Sequence, residues 1–218
     1  MDIDKLKPAG LIKSLMFFSV FGVIFYFLSR EVDLVYAWGL FSLILFITAI
    51  LAFRLEGNGL NLAQLKKRFR LKWFRGIDWK LMIGYSVIIA VFMIAIYVIE
   101  YRYVENFEFR GVLAVSDFWM FVKIIPLLIF NIFGEEYMWR GYLLPKQQLV
   151  FKDWTWLVNG VLWLAYYLVI GWQLVLILLP LMLIPYIAQN RKNTCDGVVV
   201  HGMVGGMLLS LLIILSLQ

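Results

Sequence analysis

Apolar residues gather in long runs along this chain, and short polar segments separate the runs. A helix needs about 17 to 25 apolar residues to cross a bilayer. Seven runs are of that order, at 11–29, 35–53, 80–99, 113–144, 154–170, 172–189 and 197–217. The fourth run is longer than a bilayer requires and contains Pro126, so its helix is predicted to be kinked, tilted or divided. The pattern predicts an all-α, polytopic transmembrane helix bundle with about seven spans, six to eight in number.

Composition agrees with a membrane-embedded chain. Of the 218 residues, 63% are hydrophobic and 16% are charged, and the mean hydropathy is +0.87, which lies outside the range of ordinary soluble domains. The nine tryptophans fit rings that anchor helix ends at the headgroup level. No small-x-small cleavage site precedes Arg30, so the first run is interpreted as a retained span. Residues 1–218 are predicted to form a single integral membrane domain.

Basic residues predict the orientation of the bundle, because Lys and Arg are retained in the cytoplasm. With the N-terminus inside, sixteen Lys and Arg residues lie on the cytoplasmic side, against only Arg30, Arg102 and Arg110 outside. Lys123, near the outer end of the fourth span, can snorkel to the interface. The expected arrangement is a cytoplasmic N-terminus and an external C-terminus, in a prokaryotic plasma membrane.

The segment 57–79, between the second and third spans, interleaves basic residues with leucines and aromatic residues. Such a pattern is typical of a partly helical interfacial segment whose basic side contacts anionic lipid. An equally simple interpretation is a loop whose charges only fix the orientation. Because the basic residues are concentrated in such short loops, the net charge of +6 does not indicate a nucleic-acid partner.

Scarce cysteine and histidine limit the possible chemistry. Cys195 is the only cysteine, which excludes an intrachain disulfide and a cysteine metal cluster. His201 is the only histidine, whereas catalytic zinc commonly takes His₃ or His₂Glu. The sequence therefore favours water activated by a carboxylate over water activated by a metal, and no cofactor is predicted.

Ionisable residues inside a membrane are costly and usually face a wet cavity or the bundle interior. The strongest group is Glu135, Glu136 and Arg140 at the end of the fourth span. In an α-helix Glu136 and Arg140 share a face, while Glu135 points toward Asn131 and Trp139. One interpretation is a free base, Glu135, beside a structural ion pair. The other is an ordinary ion pair at the cytoplasmic end of a helix.

Polar residues on later spans are further candidates: Asn159, Tyr166 and Tyr167 on the fifth span and His201 on the seventh. Tyrosine, with a pKa near 10, can donate a hydrogen bond but is a poor proton acceptor at neutral pH. His201 considered alone is either a functional group or a buried histidine that bonds a neighbouring helix.

The stretch EEYMWRGYLL resembles the first motif, Glu-Glu-x-x-x-Arg, of the CAAX protease and bacteriocin-processing family of intramembrane proteases. The resemblance rests on Glu135, Glu136 and Arg140, and it extends over a protease-like core at about 115–218. The family's Phe-x-x-x-His motif would begin at Trp163, with Tyr167 in place of the histidine. Its His-x-x-x-Asn motif keeps His201, but glycine stands at 205 where the family has asparagine.

This resemblance implies roles for the matching residues. Glu135 would be the base that activates water, Glu136 and Arg140 would shape the site, and His201 would donate to the oxyanion. Tyr167 could position the water without deprotonating it. A lost oxyanion donor typically costs about 10²- to 10³-fold in kcat, so a slow or inactive protease is one expectation. The glycine at 205 has another explanation, because its neighbours Gly202 and Gly206 form a small-x-x-x-small face for close helix approach.

Three functions remain open at this point. The first is an intramembrane endopeptidase that cleaves a membrane-associated peptide or protein near the cytoplasmic face. The second is a catalytically impaired relative that acts as a membrane peptide-binding or bacteriocin-immunity protein. A small transporter is a weaker third alternative, because no pair of Gly- or Pro-broken spans recurs in related halves.

Overall fold

The computed structural model describes residues 7–31, 34–56, 61–72, 78–103, 118–169 and 171–216. These ranges contain helices and no strand, which confirms the predicted all-α class. The α-helices of the described ranges are α1 Leu11–Glu31, α2 Leu34–Glu56, α3 Leu62–Arg68, α4 Trp79–Tyr103, α5 Phe118–Glu135, α6 Leu144–Phe151, α7 Thr155–Tyr166, α8 Trp172–Leu178, α9 Leu183–Arg191 and α10 Thr194–Ser216. A π-helical segment, Glu136–Leu143, joins α5 to α6.

Each of the seven predicted runs contains at least one helix. By length and composition three described helical stretches could cross a membrane: Leu11–Glu31, Trp79–Glu100 and Trp172–Arg191, and Tyr36–Ala52 is a shorter apolar helix. The fifth run differs from a simple crossing. Its helix α7 has 12 residues and is therefore about 18 Å long, well short of a hydrocarbon core of about 30 Å. Seven complete crossings remain a prediction.

The fourth run changes its helix type rather than stopping at its proline. Helix α5 continues through Pro126 to Glu135, and the π-helical segment begins at the next residue. At the end of this segment the Leu144 N–H donates to the Trp139 carbonyl, five residues earlier. Such π-helical turns are rare and occur often at functional sites. Residues 113–117 of the predicted run lie outside the described residues.

Glycine allows one close helix contact, between α2 and α5. A Cβ built at Gly134 would lie 2.2 Å from the Ser42 carbonyl oxygen, so only glycine fits there. Among the described residues, the close approach expected at Gly202 and Gly206 is not found. A Cβ at Gly202 would make only an ordinary 3.8 Å contact, and one at Gly206 would meet no described atom within 4 Å. The close helix contact at Gly134 is therefore made by α2, and neither Gly202 nor Gly206 gives α10 a contact of that kind among the described residues.

An aromatic core joins the N-terminal helices to the π-helical segment. The ring of Phe18 on α1 stacks on Trp139 at 4.3 Å. Phe25 on α1 and Phe41 on α2 both contact the ring of Tyr166 on α7, at centroid distances of 6.0 and 5.5 Å. Helices α1 and α2 consequently form the apolar wall behind the polar residues of α5 and α7.

Candidate active site

Glu135, Glu136 and Arg140 occupy the junction between α5 and the π-helical segment, and none of them has any solvent-exposed surface. Buried charges are costly unless they are paired or hydrogen-bonded. The partners of each carboxylate therefore decide what the site can do.

The Glu135 carboxylate accepts four hydrogen bonds from neutral donors. Its Oε1 accepts from Asn131 Nδ2 at 2.9 Å, from the Tyr166 hydroxyl at 2.6 Å and from the Tyr167 hydroxyl at 2.8 Å. Its Oε2 accepts from Trp163 Nε1 at 2.8 Å. A carboxylate offers about four acceptor positions. Oε1 is thus fully used, while Oε2 keeps capacity for another donor.

Three of these four donors come from one face of α7 and the 3₁₀ turn after it. Trp163, Tyr166 and Tyr167 are separated by three and four residues, the spacing that places helical side chains on the same side. The rings of Tyr166 and Tyr167 stack at 4.2 Å, so both hydroxyl groups point at the same oxygen. We call Asn131, Trp163, Tyr166 and Tyr167 the donor clamp.

Glu136 is held by charged or chargeable partners instead. Its Oε1 lies 3.0 Å from His201 Nδ1 and 3.5 Å from Arg140 Nη1. Its Oε2 is buried and has no hydrogen-bond partner among the described residues. Gly197, one turn before His201 on α10, makes room for this oxygen, because a Cβ there would lie 2.5 Å from it.

Arg140 contributes more donors than its neighbours use. Nε, Nη1 and Nη2 are all buried without a hydrogen-bond partner among the described residues. Its guanidinium carbon lies 4.6 Å from the centroid of the Trp163 ring, a cation–π contact. Because the same indole donates its N–H to Glu135, one ring separates the Glu135 carboxylate from the Arg140 cation.

The structure agrees with part of the predicted geometry and contradicts another part. The predicted ion pair between Glu136 and Arg140 is present, but it is buried and is not an ordinary pair at an exposed helix end. Glu135, interpreted as the acid left free by the arginine, has no ion-pair partner among the described residues, and its carboxylate accepts hydrogen bonds from Asn131 and from the α7 aromatic residues. His201 contacts Glu136, not Glu135. Tyr167, the replacement for the motif histidine, does bond Glu135.

Three site residues were not singled out from the sequence as contacts of the acids: Trp163, Tyr166 as a direct ligand of Glu135, and Gly197. The spacing of the α7 aromatic residues was a usable signal for the first two. Gly197 lies one turn before the only histidine, but nothing local to it marks a contact with α5. Asn159 has a supporting role, since its Nδ2 donates to the Trp139 carbonyl and to Gln147 Oε1.

Across the described ranges, His, Cys, Asp and Glu form no group of three that could hold a metal ion. Cys195 is a free thiol. The absence of a cofactor remains a prediction from the sequence.

Residues 117–207 match the family model described as Type II CAAX prenyl endopeptidase Rce1-like. This range runs from the start of α5 into α10 and contains all five predicted site residues. The match confirms the resemblance identified from the Glu-Glu-x-x-x-Arg motif, and together with the apolar helices it supports a membrane-embedded protease. No curated protein and no solved structure matches the chain.

Proposed function

We propose that this chain, with its CAAX-endopeptidase-like core at 117–207, is an intramembrane endopeptidase that uses glutamate-activated water. One observation carries the proposal. The Glu135 carboxylate, which keeps acceptor capacity only on Oε2, lies across the Trp163 indole from the Arg140 guanidinium, whose three nitrogens donate no hydrogen bond to any described residue. In this arrangement Glu135 can accept a proton from the attacking water. Arg140 can stabilise the negative charge that develops on the carbonyl oxygen in the same hydrolysis step.

Glu135 is the base in this mechanism, and the donor clamp orients it. Three donors hold Oε1, so Oε2 is the atom that accepts a proton from water. The resulting hydroxide adds to the carbonyl carbon of the scissile bond. The same proton then passes to the leaving nitrogen as the C–N bond breaks, which returns Glu135 to its carboxylate form. General-base catalysis of this kind typically contributes about 10²- to 10⁴-fold.

Arg140 and His201 stabilise the oxyanion that develops on the carbonyl oxygen. The family motif supplies an asparagine donor that this chain replaces with glycine at 205. Arg140 has buried N–H groups that can replace that donor, and a cation in a dry site stabilises negative charge strongly. Glu136 bonds His201 Nδ1 and so fixes the orientation of the imidazole ring.

The substrate is a membrane-associated peptide or protein, cleaved near the membrane face that the positive-inside rule assigns to the cytoplasm. The matching family is named for prenylated CAAX tails, and a farnesylated peptide is therefore the first probe. A hydrophobic peptide without a prenyl group is the second probe, and it tests whether the lipid is needed.

The experiment compares two matched substitutions of buried glutamates in purified protein reconstituted in lipid. Glu135→Gln is expected to lower kcat for the cleaved probe by about 10²- to 10⁴-fold. Glu100→Gln, a buried glutamate on α4 that has no part in the mechanism, is expected to leave kcat within about twofold. Equal turnover in the Glu135 variant and the wild type would remove Glu135 as the base.

A second candidate function is a non-catalytic family member that binds a membrane peptide. The observation in its favour is the donor clamp, in which Tyr167 gives Glu135 a donor where the family has a second proton acceptor. This candidate predicts no cleavage of either probe by the wild type. It also predicts that Glu135→Gln retains peptide binding, measured by fluorescence anisotropy of the labelled farnesylated peptide.

A further inference from the structure

A second polar site lies outside the donor clamp and the Glu136 pair, between the basic segment after α2 and helix α6. It is a cavity of about 470 Å³, within the usual size range of small-ligand sites. Five basic residues line it: Lys66, Lys67, Arg70, Lys72 and Lys192. Among the described residues that line it, none is acidic. Like charges so concentrated repel one another, and an anionic ligand would relieve that repulsion.

The backbone conformation of two of these residues is a separate observation. Arg70 and Lys192 have φ values of +54° and +49°, in the left-handed region that glycine normally fills. Each follows the C-terminal end of a helix, α3 and α9. A non-glycine residue there costs about 1–2 kcal/mol, whereas a cation near a helix C-terminus gains about 0.3–1 kcal/mol. The chain therefore keeps a basic side chain at two positions where glycine is the more stable choice.

Helix α3 and its ending explain how Arg70 is fixed. Asn61 and Gln64 cap the helix reciprocally, each backbone N–H donating to the other's side-chain oxygen at 2.9 Å. At the other end the Leu71 N–H donates to Lys66 O and the Arg70 N–H to Lys67 O. These two bonds form a Schellman motif with Arg70 at the position usually taken by glycine.

Hydrogen bonds also join Arg70 and Lys72 to helix α6 and to residues 193–194 on the other side of the cavity. Arg70 Nη2 donates to Gln148 Oε1 on α6 at 2.9 Å. The Thr194 N–H donates to the Arg70 carbonyl at 3.1 Å, and the Lys72 N–H donates to Asn193 Oδ1 at 3.1 Å. Arg70 and the Lys72 backbone are thus placed by hydrogen bonds before any ligand arrives, which lowers the entropy cost of binding.

Arg70 also has an unused donor at this site. Its Nη1 is buried and has no hydrogen-bond partner among the described residues. Burial and the neighbouring Arg68 lower the pKa of Arg70 below its ordinary value. The half-buried Arg70 guanidinium can donate this N–H to a phosphate oxygen, whose negative charge also compensates the cation.

We propose that this cavity binds a phosphate-bearing anion, and that its source is the headgroup of an anionic phospholipid. Leu149 beside the cavity and its neighbour Val150 are 46% and 44% exposed, so an apolar surface adjoins the basic one. A headgroup in the cavity would leave its acyl chains against these two side chains. A free phosphate ion would use only the basic part.

The test measures the midpoint of thermal unfolding of the full chain in a neutral detergent. The additives are short-chain phosphatidylglycerol, short-chain phosphatidylcholine and inorganic phosphate, each titrated separately. We expect a saturable upward shift with phosphatidylglycerol and none with phosphatidylcholine. A shift of equal size with inorganic phosphate would identify a soluble phosphate as the ligand and overturn the lipid source.

Two variants separate a site from a diffuse basic surface. Lys192→Gly removes a cation and relieves its left-handed backbone, so without lipid it is expected to unfold at the same or a higher temperature. Its shift with phosphatidylglycerol is expected to fall by half or more, and that of Arg70→Gln likewise. Lys80→Gln, an exposed lysine on α4, is the matched control and keeps the full shift. Equal losses in all three variants, or no shift in the wild type, would overturn the proposal.

Discussion

Glu135 and Glu136 are neighbours in the chain, yet the fold stabilises their carboxylates in opposite ways. Glu135 accepts only neutral donors, four in number, and three of them come from α7 and its 3₁₀ turn. Glu136 contacts a guanidinium and an imidazole, and one of its oxygens has no described partner. The difference arises because consecutive residues of a helix point about 100° apart, so that Glu135 faces α7 while Glu136 faces α10.

These two ways of stabilising a buried carboxylate have different energetic consequences. Neutral donors each stabilise a buried anion by about 1.5–3 kcal/mol, and the loss of one leaves the others in place. A buried ion pair depends on both partners, because removing one leaves an uncompensated charge. We therefore expect substitutions around Glu136 to act mainly on the free energy of unfolding. Substitution of Glu135 itself is expected to act mainly on kcat.

Removing the cation from the Glu136 side is expected to have the largest effect on stability. Arg140→Met keeps a long side chain over Trp163 but leaves Glu136 with His201 as its only charge partner among the described residues. The free energy of unfolding should fall by about 3–5 kcal/mol, as measured by denaturant titration in detergent. Arg102→Met, at an exposed arginine on α4, is the control and should change it by less than about 0.5 kcal/mol. A loss below about 1 kcal/mol at Arg140 would mean that the pair does not hold the site together.

Restoring the asparagine of the family motif tests how the oxyanion is stabilised on the catalytic side of the site. The residue at 205 follows His201 by one helical turn, so Gly205→Asn adds a donor on the same face of α10. A Cβ at this position meets no described atom within 4 Å, and the side chain can be added without a clash. Because Arg140 is proposed to supply this donor already, kcat for a cleaved probe should rise by much less than the about 10²- to 10³-fold that a missing oxyanion donor typically costs. A rise of that full size would show that Arg140 does not replace the asparagine.

Removing hydroxyl groups from the donor clamp tests whether its members jointly stabilise the negative charge on Oε1 of Glu135. Tyr166→Phe and Tyr167→Phe each remove one of three donors, so each should cost about 1.5–3 kcal/mol of unfolding free energy. The double variant should cost more than the sum, because Asn131 alone then remains on Oε1. Denaturant titration of both single variants and the double variant gives the coupling. Tyr186→Phe, at a partly exposed tyrosine on α9, is the control; strict additivity would show that the two hydroxyl groups act independently.

The sequence predicted the helical class, the apolar runs and the five site residues, because each depends on local composition or motif spacing. It also predicted that Glu136 pairs with Arg140, since a four-residue spacing brings side chains together in α- and π-helices alike. It could not predict which acid His201 contacts, because that depends on how α10 packs beside α5. The change to a π-helix after Pro126, and not at it, likewise depends on tertiary packing. The left-handed Arg70 and Lys192 have no signal in the sequence, since glycine is expected at such positions.

The smallest predicted effect distinguishes two glycines on the same helix. Gly197→Ala places a methyl group about 2.5 Å from Glu136 Oε2 and 3.3 Å from Ile184 Cγ2, so the carboxylate must move. Overpacking of this kind costs about 1–3 kcal/mol, and a displaced Glu136 should also weaken its contact with His201. Gly205→Ala meets no described atom and should instead stabilise α10 by about 0.5–1 kcal/mol, because alanine loses less entropy in a helix. Thermal unfolding of the two variants therefore gives shifts of opposite sign if α10 approaches the Glu136 side closely, and shifts of the same sign would argue against that contact.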